Sequence, residues 1–341
     1  MSDKYSHFTL RIWELIWCSV VCLIGVIGNL TVLLVVTKSK KVSRTSPFNI
    51  YIFALASVDF LVSLFVLPDY VLRTDIYDPP SGSKGTLMCK LLIGGFLPFW
   101  LLEVSVYLLV MICLERRKAI LYPFSTLNSK PVKFYLLTIA ALFFLGAFNQ
   151  VPTWYGIYYN KGNSTSGNFC AYGYHPVLTL VFHFLSFFLQ CFIPFVIFIV
   201  SFYQIRKRLR QMEKDIFSVL THSSAHSLNQ SGIQLLKKKQ ATIATMQLVV
   251  VAFFVCIIPN ELVYMLFQFI NRNYLEMNSP LFQVTVLLRY SNSCLNPILY
   301  SYRSKEFRSR LREVFQLQPK FKELMFRAKP STESDSYSKL V

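Results

Sequence analysis

The chain has 341 residues, of which 54% are hydrophobic and only 15% charged, and its mean hydropathy of +0.44 is too apolar for an ordinary soluble two-domain protein. A formal charge of +18 would suit a nucleic-acid binder, but the basic residues fall between long apolar runs and after the last of them. That placement follows the asymmetry of membrane proteins and excludes nucleic acid as a partner, while the 31 Phe and 19 Tyr fit contact with a lipid bilayer.

Met1–Thr9 carries no small-residue cleavage site, so it reads as a short extracellular N-terminus with the first apolar run as an uncleaved anchor. A membrane-crossing helix needs about 20 apolar residues. Runs of that length are Leu10–Val36, Phe48–Leu72, Met88–Leu114, Phe134–Trp154, Val177–Ile205, Ile243–Phe269 and Pro280–Ser301. They predict an all-α membrane protein, a seven-transmembrane helix bundle over residues 10–302. Lys38, Arg116, Arg206 and Lys237 mark the basic links after spans one, three and five, whereas the other links are poor in Lys and Arg and include Asp75, Asp78 and Glu276. By this asymmetry the basic links and the C-terminus are cytoplasmic and the protein is a multi-pass component of the plasma membrane. The Ser-, His- and Asn-rich Asp215–Gly232 and the tail 317–341 are the stretches expected to be least ordered.

Six of the eight cysteines fall within spans; Cys89 at the start of span three and Cys170 in the link before span five lie on the outer side, where a disulfide would tie that link over the bundle. Asn163-Ser164-Thr165 is a glycosylation sequon in the same link. Within the spans, Asp59 needs partners, hydration or a cation, because an ionised carboxylate in lipid is costly. Asn29, Asn292 and Asn296 are its natural partners, either as a structural hydrogen-bond network or as an oxygen-rich site for a sodium ion. Asn292, Asn296 and Tyr300 recur at four-residue spacing and so share one face, which Pro297 interrupts. Glu115-Arg116-Arg117 at the inner end of span three could by itself be a solvated anchor.

Taken together, these residues make the chain similar to rhodopsin-like (class A) G protein-coupled receptors from Gly25 to about Phe315. The match consists of Gly28-Asn29, Leu55-Ala-Ser-Val-Asp59, Glu115-Arg116-Arg117 with Pro123, Pro194, Phe253 to Pro259, and Asn296-Pro297-Ile-Leu-Tyr300. The resemblance implies no enzymatic activity, a heterotrimeric G protein as partner engaged by Arg116 when span six swings outward, a kink at Pro259, a sodium-linked network at Asp59, and inward rotation of Tyr300. It also implies an amphipathic eighth helix over residues 303–316, whose apolar side is Phe307, Leu311, Val314 and Phe315. Ser331, Thr332, Ser334, Ser336 and Ser338 near Glu333 and Asp335 would suit receptor kinases and arrestin, or form only a solvated end.

The departures from the family pattern are specific. Glu115 and Arg117 flank the arginine where Asp and Tyr are usual, and Lys239 stands where many relatives carry the acid that locks it, so the resting state is expected to be weakly held. Ile257 replaces the usual Trp of span six, span four lacks its Trp, Tyr203 follows Phe202 where a tyrosine is usual one position earlier, and Cys89 precedes Arg116 by two residues more than usual. The outer half of span three has no acid before Glu103, which argues against an amine ligand, and Tyr290 takes the place of a retinal-binding lysine. Asp69, Tyr70, His183, Gln190, Glu261, Tyr264, Arg289 and Tyr290 are the candidate ligand-pocket residues. Arg289 requires an acid, from Glu261 or Glu103, in a structural pair, or else it receives a ligand carboxylate. Mixed acids, one base and many aromatics favour a peptide; a lipid or small non-amine ligand is the alternative. A transporter or channel would show internal repeats, and none is visible.

Overall fold

The computed structural model describes residues 12–39, 45–72, 80–123, 130–160, 170–173, 176–222, 226–269 and 279–315. The first apolar run forms α1 (Ile12–Lys38) and the second α2 (Pro47–Leu72). The third is divided: α3 (Gly82–Met88) leads through a π-helical turn at Cys89–Ile93 to Gly94 and Gly95, after which α4 (Phe96–Leu121) runs on. Gly95 is left-handed at φ 74°, a conformation that strains residues with a Cβ.

The fourth run gives α5 (Val132–Asn149) and a short continuation, α6 (Val151–Gly156). The only strands among the described residues follow, β1 (Ile157–Tyr159) and β2 (Cys170–Tyr172), antiparallel with Tyr159 opposite Cys170. The fifth run is α7 (Pro176–Phe187), a π-helical turn at Phe188–Phe192, and α8 (Ile193–His222); the sixth is α9 (His226–Phe269). Helix α10 (Pro280–Arg303) is the seventh, and α11 (Lys305–Val314) follows after Ser304, whose hydroxyl accepts from the Phe307 N–H as an N-cap.

Six helical stretches among the described residues are long and apolar enough to cross a membrane. The seventh, α10, has 24 residues but falls outside that class, because it buries Gln283, Thr285, Arg289, Ser291, Asn292, Ser293 and Asn296. It packs against α1, α2 and α9, so these groups face protein instead of lipid. Asp215–Gly232 departs from expectation: α8 continues to His222 and α9 already begins at His226. Residues 1–11, 316–341 and Asn163 lie outside the described residues.

One apolar core runs through the bundle, with Leu102, Leu108, Ile112, Phe198, Phe253 and Ile257 each at most 1–2% exposed. The complementary surface is apolar as well: Ile16, Leu23, Leu137, Phe144, Val181 and Val251 are all exposed, as lipid contact requires. A second, small core of Cys89, Ile93, Ile157 and Cys170 seats the hairpin on the end of α3.

Candidate functional site

The end of the bundle that carries the hairpin is closed by the Cys89–Cys170 disulfide, with an S–S distance of 2.04 Å. Deeper in the bundle, the turn of α10 that bears Arg289 meets α9 and the π-helical turn before α8. The guanidinium donates from Nη1 to Glu261 at 2.6 Å and to Asn260 at 3.0 Å, and from Nη2 to Gln190 at 2.7 Å. All four residues are at least 94% buried, and the Arg289 carbon Cζ lies 5.1 Å above the ring of Phe99. Both terminal nitrogens are therefore taken by protein groups; only Nε is buried without a partner. Of the two acids open to Arg289 in the sequence, Glu261 is the direct partner. Glu103 accepts instead from Asn149 at 3.0 Å and from Gln150, both at the end of α5, while remaining within electrostatic reach of Arg289.

The aromatic candidates line up beside this cluster. Tyr290 lies 5.6 Å from Phe99, His183 5.4 Å from Tyr264, and Tyr264 5.3 Å from Phe282, ring centre to ring centre. The side chains of Asp69 and Tyr70 lie outside the described residues. Asn260 belongs to the same cluster and was missed in the sequence, because a single amide next to Pro259 carries no periodic signal there.

One level further toward the basic end, Asp59 is fully buried and accepts from the Ser105 hydroxyl at 2.8 Å and from the Asn296 amide at 2.8 Å. Asn292 is buried on the same α10 face, and the buried Ser293 hydroxyl adjoins the Asp59 carboxyl. Asn29 makes no direct hydrogen bond to Asp59 among the described residues. Its amide donates to the carbonyls of Gly25 and Ser293, each at 2.9 Å. The physical reason is Pro297: lacking an N–H, it cannot bond the carbonyl four residues earlier, which is that of Ser293, and Asn29 supplies the missing donor. The contact needs Gly28 beside it, since a Cβ there would stand 2.8 Å from Pro297.

At the basic end, Arg116 is half-buried and places Cζ 3.2 Å from the ring centre of Phe48 on α2, a close cation–π contact. Glu115 adjoins it, and Arg117 donates to Gln204 of α8 at 2.5 Å. Lys239 lies on α9. Tyr300 packs toward Phe307 of α11 at 6.4 Å. Phe202 stacks on Phe198, whereas Tyr203 is 68% exposed and turned outward. Pro259 sits within α9, and Ile257, in place of the usual Trp, is completely buried.

A family profile described as "7 transmembrane receptor (rhodopsin family)" matches residues 28–300, from the glycine beside Pro297 to the tyrosine that ends the α10 motif. The chain belongs to the rhodopsin family of seven-transmembrane receptors. It is therefore a receptor and not an enzyme. Among its relatives, galanin receptor 2a of Danio rerio is 25% identical over 307 residues, covering 87% of this chain and 76% of the relative. The allatostatin-A receptor of Bombyx mori is 28% identical over 313 residues, 88% of this chain and 78% of the relative. The C3a anaphylatoxin chemotactic receptor of Oncorhynchus mykiss is 25% identical over an alignment of 355 positions, 99% of this chain and 85% of the relative. In this receptor the polar and charged residues form three levels, at Arg289, at Asp59 and at Arg116, and each level joins helices across the bundle.

Proposed function

We propose that this receptor lies in the plasma membrane with its N-terminus outside and its C-terminus in the cytoplasm, binds a polypeptide at the disulfide end, and promotes nucleotide exchange on a heterotrimeric G protein at the basic end. The orientation rests on the Lys and Arg of the links after spans one, three and five. The observation that carries the rest is the Arg289 cluster. It joins the α7–α8 unit, α9 and α10 through one guanidinium, beneath a row of aromatic rings, so a ligand pressing on those rings acts on the bonds that fix these helices relative to one another. A ligand shifts such a balance only by contacting the two states differently. Because Glu261, Asn260 and Gln190 already hold Arg289, the ligand's contribution is to redistribute this cluster instead of pairing with an idle cation.

The relatives named for galanin, allatostatin-A and C3a take polypeptide ligands, which favours that class here. Arg116 is the group that would meet the G protein once α9 moves away. Asp59 with the Ser105 and Ser293 hydroxyls forms a carboxylate-and-hydroxyl oxygen set that suits a sodium ion, which when bound would stabilise the resting arrangement. Phosphorylation of the serines and Thr332 in the tail by receptor kinases would then recruit arrestin.

Nucleotide exchange on a panel of G proteins tests this, using membranes bearing the wild type or Arg116→Ala and tissue extracts before and after protease treatment. Exchange with the wild type alone, abolished by protease, is the expected result. Activity that survives protease overturns the polypeptide assignment in favour of a lipid or small molecule. Absence of exchange from folded surface protein under every condition overturns G protein coupling.

A further inference from the structure

Where α8 and α9 reach the basic end, a cleft of about 270 Å³ opens between them. Arg206 and Arg210 stand four residues apart on one face of α8, Gln240 and Gln247 face them from α9, and buried Leu209 and Ile243 form the floor. Neither arginine has a carboxylate partner among the described residues; Arg206 reaches only the Gln247 carboxamide, at 3.4 Å. The two arginines thus stand one turn apart on one wall of the cleft, with carboxamides opposite and one carboxylate, Glu213, beyond Arg210.

The same helix faces change character toward the disulfide end. One and two turns along α8 from Arg206 come Tyr203 and Ile199, 68% and 52% exposed, and along α9 from Gln247 come Val251 and Val255, 57% and 58% exposed. The cleft therefore sits where an apolar, lipid-facing surface gives way to a basic one, the depth of a phospholipid headgroup. Two forked donors suit a phosphate better than a single carboxylate, because each guanidinium can engage two of its oxygens.

We propose that this cleft binds the phosphomonoester headgroup of an anionic phospholipid in the adjoining leaflet, with the acyl chains along Ile199, Val251 and Val255. Glu213 lines the outer rim three residues beyond Arg210, so its carboxylate opposes an anion from that side and confines the phosphate to the Arg206 end. A headgroup held from both α8 and α9 also fixes their separation, which makes lipid composition an input to the receptor.

The test uses the full-length receptor in phosphatidylcholine nanodiscs containing a small proportion of phosphatidylinositol bisphosphate, with bound lipid counted by native mass spectrometry. Arg206→Gln with Arg210→Gln should weaken lipid binding about thirtyfold, the scale expected for two basic residues at an anionic surface. Lys305→Gln with Arg312→Gln, which removes equal charge from α11, should leave it unchanged, and Glu213→Gln should raise it. Equal losses from the two double variants, or none from the cleft variant, would overturn the proposal. Water-soluble inositol bisphosphate competing as tightly as the intact lipid would also overturn it, by assigning the cleft to a free phosphate.

Discussion

Asn29 illustrates how a side chain in this bundle answers a backbone defect. Pro297 leaves the Ser293 carbonyl without its helical donor in a place where no water or lipid replaces it, and the Asn29 amide reaches that oxygen from α1 at 2.9 Å. Asn29→Ala should therefore leave a buried acceptor unsatisfied and lower stability by about 1–3 kcal/mol, read as a fall in the thermal unfolding temperature of the purified protein. The cause can be isolated. Pro297→Ala restores an N–H four residues after Ser293, so in that background Asn29→Ala should cost much less, and additive effects of the two changes would refute the assignment. Sequence alone shows that Asn29 is an expensive residue to place in a membrane, but its partner is a backbone atom 264 residues away. No side-chain pattern announces such an acceptor, which is why the sequence suggests Asp59 for Asn29 and does not disclose the Ser293 carbonyl.

At the scale of the helix, legibility follows from what the bilayer demands. Spans one to six are visible as apolar runs because length and composition are all that crossing requires, whereas α10 is visible mainly through Asn296-Pro297 and Tyr300, its buried polar face having diluted the signal. Helix rotation is less visible. Ser105 and Ser293 beside Asp59, and Asn260 beside Arg289, depend on which way α4, α9 and α10 turn within the bundle, and common polar residues do not disclose this. The joint of α2 with α4 is a further case. Lys239 lies on α9, and Arg116 rests on the Phe48 ring at 3.2 Å, so a cation–π contact joins α4 to α2 at this end. Such contacts are worth about 0.5–2 kcal/mol, depending on desolvation. Phe48→Ala should accordingly raise basal nucleotide exchange by roughly two- to tenfold through a shift in population. Lys239→Glu, which supplies a carboxylate for Arg116, should lower it. Unchanged basal exchange in both variants would mean that neither element restrains the resting state.

Across the whole molecule, buried polar bonds connect the crossings one to another: α1 to α10 at Asn29, α2 to α4 and α10 at Asp59, α4 to α5 at Glu103, and α9, α10 and the α7–α8 unit at Arg289. In a lipid environment, where apolar burial does little to choose one helix partner over another, such bonds select the arrangement. The Arg289 level also holds more acidic side chains than basic ones among the described residues. Two acidic side chains, Glu261 in direct contact and Glu103 at a distance, adjoin a single guanidinium. Removing one partner of a buried pair typically costs about 3–5 kcal/mol, because it strands the other charge. Here the two removals should differ. Glu261→Gln leaves Arg289 near Glu103 and still able to donate hydrogen bonds to Gln190 and Asn260, whereas Arg289→Gln leaves two buried acids with no cation at that level among the described residues. Thermal unfolding of the purified receptor should therefore rank Arg289→Gln well below Glu261→Gln, and the double variant, which removes one charge of each sign, should recover part of the loss from Arg289→Gln. Equal destabilisation by the two single changes would show that Glu103 contributes nothing to the cluster, and that Arg289 and Glu261 form an isolated pair.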